Sequence, residues 1–135
     1  GKLTLGNLDA SRDWGYAGDY VEGMWKMMQF DTSEDWVLAT GETHTVKDFL
    51  DVAFGILDLD WEKYVETSER YLRPNEVEYL LGDSSKAQKK LDWTPKTSFK
   101  ELVEMMVKND IENAKQEQVL LKENLIKPTW EYPLI

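Results

Sequence analysis

Only three of the sixteen basic residues in this chain are arginines, and two of them sit beside turn-forming residues. Arg12 lies in Ser11-Arg12-Asp13-Trp14-Gly15, and Arg73 lies in Leu72-Arg73-Pro74-Asn75-Glu76. A guanidinium is a planar, permanently charged fork that binds phosphate oxygens two at a time, which a lysine point charge does not do. The formal net charge is −10, so an anion must be held by a local cluster working against the overall field. The anion that such a pair of forks fits is a nucleotide diphosphate. Arg12 follows a strand and loop and precedes a helix, the place where ligands bind in open α/β folds. The competing reading is a surface pair with Asp9 or Asp13, worth about 0–1 kcal/mol. For Arg73, the adjacent proline fixes the backbone and Glu76 follows closely. Arg73 would then meet a phosphate while Glu76 accepts from ribose hydroxyls; the alternative is a local Arg–Glu pair at the start of a helix.

What is missing narrows the chemistry. There is no cysteine, hence no disulfide, thiolate metal site or cysteine nucleophile. The single histidine, His44, lies between two threonines and reads as a helix-start residue rather than a catalytic base. Gly15, Gly18 and Gly23 have the wrong spacing for Gly-x-Gly-x-x-Gly. No tyrosine is followed four residues later by lysine, so the Tyr/Lys pair of short-chain dehydrogenases is absent. By its own residues the chain neither binds a dinucleotide nor performs redox chemistry. Its acidity argues against nucleic-acid binding, which needs a basic surface. No apolar stretch reaches membrane-spanning length and no signal pattern is recognised, so no membrane partner and a cytoplasmic location are expected.

The elements that must position these residues follow from periodicity. At 135 residues, with 41% hydrophobic and 31% charged, the chain reads as one soluble α/β domain with short strands and about four helices. Lys2 to Leu5 alternates and predicts a strand running into a Gly6-Asn7 turn. Tyr20, Val21, Met24, Trp25 and Met28 predict one apolar helical stripe, with Asp19 as its cap and the methionines in the core. Trp36-Val37-Leu38-Ala39 is the best strand candidate. Thr45 and Asp48 mark the start of a helix bearing Val46, Phe49, Leu50, Ala53 and Phe54. Residues 58–72 are mixed, with a short extended piece at Trp61, Tyr64 and Val65. Gly82-Asp83-Ser84 opens a short helix through Ala87 to Leu91, which Trp93-Thr94-Pro95 stops. Ser98 caps the longest helix, carried by Phe99, Leu102, Val103, Met106, Val107 and Ile111 to about Leu121. Residues 121–135 are expected to be a mobile or partner-contacting tail.

Several segments then align with a known family in order: Leu5-Gly6-Asn7-Leu8-Asp9-Ala10, Arg12-Asp13-Trp14-Gly15, Asp19-Tyr20-Val21-Glu22, Ala39-Thr40-Gly41-Glu42, Arg73-Pro74-x-Glu76-Val77, Leu81-Gly82-Asp83 and Lys90-Leu91-x-Trp93-x-Pro95. In these the chain resembles the C-terminal part of the GDP-mannose 4,6-dehydratases, which are extended short-chain dehydrogenases/reductases. The likeness fades past Ile111, and residues 58–70 depart from the pattern. The resemblance implies that residues 1–135 form the C-terminal GDP-sugar-binding portion of a two-part enzyme. An N-terminal Rossmann half, supplied in cis or in trans, would hold NADP and the catalytic groups; no cofactor is expected in this chain. It implies GDP-mannose as the ligand, with Arg12 on the diphosphate, Arg73 and Glu76 reaching diphosphate and ribose, and the backbone around Asn7 near the guanine. It also implies surface left open by the missing half, including the edge of the first strand, and hence a possible homo-oligomer. Two alternatives stand beside this: the equivalent portion of another nucleotide-sugar epimerase or reductase, and a stand-alone GDP-sugar-binding module.

Overall fold

The computed structural model describes residues 1–127. Strand β1 (Leu3–Leu5) pairs in parallel with β4 (Val65–Thr67), Leu3 opposite Val65 and Leu5 opposite Thr67. Strand β2 (Ser11–Arg12) pairs antiparallel with β3 (His44–Thr45). Among the described residues there are four α-helices, α1 (Ala17–Met28) after β2, α2 (Val46–Gly55) after β3, then α3 (Ser85–Leu91) and α4 (Phe99–Lys122), and two short 3-10 turns, Trp61–Lys63 and Glu69–Tyr71, on either side of β4. Among the described residues, no helix is long and apolar enough to cross a membrane.

Two helices start where sequence chemistry places them. The Thr45 hydroxyl accepts from the Asp48 N–H at 2.9 Å and the Asp48 carboxylate accepts from the Thr45 N–H at 2.7 Å. Ser98 and Glu101 make the same reciprocal box on α4. Each box satisfies two N–H groups that an α-helix leaves unpaired.

The core gathers around Trp93, which is 1% exposed, with Ala87 and Leu91 of α3 beside it. Tyr20 and Met27 of α1, with Phe30, Trp36 and Leu38, pack onto this cluster. A second group joins α2 to the start of α4, where Leu50, Phe99, Leu102 and Val103 are buried. His44 stacks flat on Phe99 with ring centroids 3.9 Å apart.

Three sequence expectations are corrected. Asp19 does not cap α1: Tyr16 stands at the N-cap, and Asp19 is buried in the first turn, accepting from the N–H groups of Lys96 and Thr97 at 3.0 and 2.9 Å. Of the expected α1 stripe, Tyr20 packs on the core, but Val21, Met24, Trp25 and Met28 lie on the outer face. Met24, Trp25 and Met28 are 56%, 62% and 82% exposed, because the opposite side, Tyr20, Gly23 and Met27, meets the core. Trp36–Ala39 joins no ladder, since no described strand lies alongside it. Helix α4 ends at Lys122, close to the expected end at about Leu121; residues 128–135 of the expected tail lie outside the described residues.

Candidate functional site

Arg12 owes its position to two neighbours of β2. On one side β3 places His44 opposite it. On the other, the Ser11 N–H donates to the Glu78 carbonyl at 2.7 Å and the Leu80 N–H donates to the Ser11 carbonyl at 3.1 Å. These bonds draw the 76–80 segment against β2 and bring Glu76 to Arg12. Arg12 Nη2 donates to Glu76 Oε1 at 3.0 Å, and Nη1 donates to the Ser11 carbonyl at 2.8 Å. Both side chains are half-buried. A guanidinium has five N–H donors in a fixed fork, so these two bonds lock its plane and leave donors for an incoming anion. Neither Asp9 nor Asp13 pairs with Arg12, which removes the surface-pair reading for those two partners.

Arg73 opens a turn through Pro74 and Asn75, closed by the Glu76 N–H donating to the Arg73 carbonyl at 3.2 Å. No helix starts here, and Glu76 pairs with Arg12 rather than Arg73. The Arg73 side chain is exposed and makes no ion pair among the described residues. One turn therefore carries Arg73 at one end and, at the other, the carboxylate that holds Arg12.

Asn7 belongs to an adjoining cavity of 420 Å³, bounded also by Gly6, Lys47, Trp61, Ser68 and Leu72. Its Oδ1 accepts from the Asp9 N–H at 2.9 Å, fixing the loop that follows β1. Gly6 is required here, because a Cβ would stand 2.6 Å from the Tyr71 carbonyl oxygen. Leu72, on the cavity wall, immediately precedes Arg73. The four expected residues thus fall on two neighbouring features: the Arg12–Glu76–Arg73 turn and the Asn7 cavity. Lys47 and Trp61 were not named as site residues from sequence, although a cation two residues beyond the Thr45 helix start is visible there once that start is known.

Asp13 is the residue that sequence reasoning undervalued. Its carboxylate accepts from the Thr40 N–H (2.9 Å), the Thr40 hydroxyl (2.6 Å), the Gly41 N–H (3.1 Å) and the Gly82 N–H (3.1 Å). Burial on its own would raise its pKa, but these donors outweigh burial and hold the carboxyl below its ordinary value. Asp13 thereby ties the loop after β2 to two distant loops. Gly82 must be glycine for this approach, since a Cβ would sit 2.1 Å from the Ala39 Cβ. His44 lines a pocket together with Trp14, Thr40 and Glu42. Its ring is stacked on Phe99, its Nε2 lies 3.6 Å from Glu42 Oε2 without a hydrogen bond, and its carbonyl accepts from Trp14 Nε1 at 3.1 Å.

Gly18 and Gly23 lie within α1, and a Cβ on Gly23 would strike Leu38 and Trp93, so that glycine serves helix packing rather than a phosphate loop.

The architecture is that of the C-terminal lobe of the extended short-chain dehydrogenases/reductases. The dTDP-glucose 4,6-dehydratase of Bacillus anthracis, solved with NAD, superposes with a TM-score of 0.73 at 18% identity, over 84% of this chain and 36% of that one. A UDP-glucose 4-epimerase of Thermotoga maritima, solved with UDP-glucose, gives 0.72 at 24% identity over the same shares. Within that class, the family model described as GDP-mannose 4,6 dehydratase matches residues 1–106, and the chain belongs to that family. GDP-mannose 4,6 dehydratase 1 of Arabidopsis thaliana is 58% identical over 88% of this chain and 33% of its own length. The Homo sapiens relative is 44% identical over 82% and 34%. The chain thus spans about a third of the length of these relatives and matches their C-terminal part.

Proposed function

We propose that this chain is the GDP-mannose-binding portion of a GDP-mannose 4,6-dehydratase, which converts GDP-mannose to GDP-4-keto-6-deoxymannose. The observation that carries the reading is the convergence of Arg12 and Glu76, 64 residues apart in sequence, at a turn that also bears Arg73. In this reading both arginines grip the diphosphate. Glu76 holds the Arg12 fork and accepts from the ribose hydroxyls, and the Asn7 cavity receives the base. The roles of this chain are to bind and orient. NADP, held by a Rossmann half outside this chain, would supply hydride transfer, and the assembled enzyme would be a cytoplasmic lyase.

The test joins this chain to the N-terminal portion of the Arabidopsis relative, replacing that relative's own matching third. Calorimetry should then give tighter binding of GDP-mannose than of UDP-glucose or dTDP-glucose, together with formation of the 4-keto-6-deoxy product. Equal affinity for the three sugars would favour a different nucleotide-sugar enzyme. Binding without turnover, alongside an active native control, would favour a stand-alone module.

A further inference from the structure

Helix α4 closes with a turn that takes the chain off its axis. Asn124 is left-handed at φ 55°, its N–H donates to the Leu121 carbonyl at 3.1 Å, and the Leu125 N–H donates to the Leu120 carbonyl at 2.9 Å. This pair of bonds ends a helix and satisfies carbonyls of its last turn. Beside α4 runs an apolar groove of 360 Å³, with Phe49, Ala53 and Phe54 of α2 on one wall and Val107, Ile111 and Ala114 of α4 on the other. Asp110 is the one charged residue along it. The α4 wall lies on a single helical row, which continues through Leu121, half-buried near the turn. An open apolar groove of this kind marks a surface that something covers.

The chain carries a segment suited to cover it. Residues 128–135, outside the described ones, read Pro-Thr-Trp-Glu-Tyr-Pro-Leu-Ile, with Glu131 as their one charge. In an extended chain Trp130, Tyr132 and Leu134 share one face and Glu131 lies on the other. Pro128 and Pro133 restrict the backbone and so reduce the ordering that docking costs. The reach is sufficient: from Lys122 back to Val107 is about 22 Å along the helix, while residues 126–135 extend up to about 33 Å. A tether also sets an effective concentration of about millimolar, so the segment outcompetes a separate copy present at lower concentration. The family model ends at residue 106, so the α4 wall and this segment belong to the same stretch beyond it.

We propose that the groove between α2 and α4 is the seat of this chain's own residues 128–135, with Trp130, Tyr132 and Leu134 laid along it. The tail expected from sequence to be mobile or partner-contacting then has its partner within the same chain. Seated there it braces α2, the helix that follows β3 directly, and β3 is the strand paired with the one that carries Arg12. This holds whichever ligand the Arg12 site takes.

The chain has no cysteine, so Glu131→Cys takes a single nitroxide label on the side turned away from the groove. In the full isotope-labelled chain, the NMR signals of the Ala53 and Ala114 amides should lose most of their intensity and regain it when the nitroxide is reduced. Mixing the nitroxide-bearing chain with an isotope-labelled chain that lacks the label should cause no loss. Ala114→Glu, at an exposed position, sets a carboxylate in the groove and should abolish the loss at Ala53. Gln116→Glu, exposed on the opposite side of α4, should leave it intact. Ending the chain after Lys127 should lower the melting temperature by about 4 °C or more. Ala114→Glu should add little to that fall, because both changes remove the same contact. The proposal is overturned if the two amides keep their intensity. It is also overturned if the loss appears in the mixed sample, because a second copy then fills the groove. Strictly additive falls in melting temperature, or none on shortening the chain, overturn it as well.

Discussion

Arg12 and Glu76 form a half-buried ion pair, Nη2 to Oε1 at 3.0 Å, across 64 residues of sequence. One edge of the guanidinium is committed to Glu76 and the Ser11 carbonyl, so its plane is fixed, and for the proposed diphosphate the pair would be a pre-set fork. Pre-organisation lowers the side-chain ordering that binding would otherwise cost.

Arg12→Lys should therefore weaken GDP-mannose binding in the fusion despite conserving charge, by about 10-fold or more, the scale of a lost charge-assisted hydrogen bond. Arg73→Lys should do the same. Glu76→Gln should weaken binding too, by releasing the fork and removing the ribose acceptor. Calorimetry decides it, and wild-type affinity in all three variants would remove the proposed grip.

Asp13 gives a stability prediction with a pH sign. Asp13→Ala leaves three backbone N–H groups and a hydroxyl without their acceptor, at a cost of about 2–4 kcal/mol, or a fall of roughly 10 °C or more in melting temperature. The folded-state pKa is depressed below 3.8. The contribution of Asp13 is therefore fully present above the unfolded value and is lost as pH falls through the folded one. The gap in melting temperature between wild type and Asp13→Asn should close on acidification below about pH 4. A gap independent of pH would mean that geometry, not charge, holds the three loops.

Glu34 is a half-buried carboxylate clamped between Lys90 at 2.8 Å and Lys86 at 2.9 Å. Hydrogen bonds from Lys90 and then Lys86 bring its pKa down to about 2. NMR titration should find this low midpoint in wild type. It should rise toward the ordinary value in Lys90→Ala, and in wild type at 1 M salt, where screening extends to about 3 Å. A midpoint unmoved by either change would show that the lysines do not hold the carboxylate.

The sequence made local chemistry legible and long-range pairing illegible. Thr45–Asp48 and Ser98–Glu101 were readable because a capping box is contained within four residues. Arg12 and Arg73 were readable as unusual forks, but the partner of Arg12 was not, because Glu76 reaches it only through the bonding of the 76–80 segment to β2. Periodicity placed Tyr20 of the α1 stripe correctly against the core but put Val21, Met24, Trp25 and Met28 on the wrong side: both sides are apolar, and the pattern does not say which of them this chain covers by itself. The alternation of residues 36–39 was equally visible, but a strand exists only with a neighbour, and no described segment supplies one.

Gly82 supplies the last test of how tightly the site loops are set. Its N–H donates to Asp13, and an added Cβ would meet the Ala39 Cβ at 2.1 Å, well inside contact distance. Ala39 is 5% exposed, and its carbonyl is held by Ser84, so neither side can retreat without breaking a buried bond. Gly82→Ala should cost about 1–3 kcal/mol as overpacking. The pair Gly82→Ala with Ala39→Gly removes the clashing methyl and should recover most of that loss, since contacting sites are not additive. Thermal melting of the two single variants and the pair measures the coupling. Strictly additive losses would mean that the two loops are not in contact where Asp13 joins them.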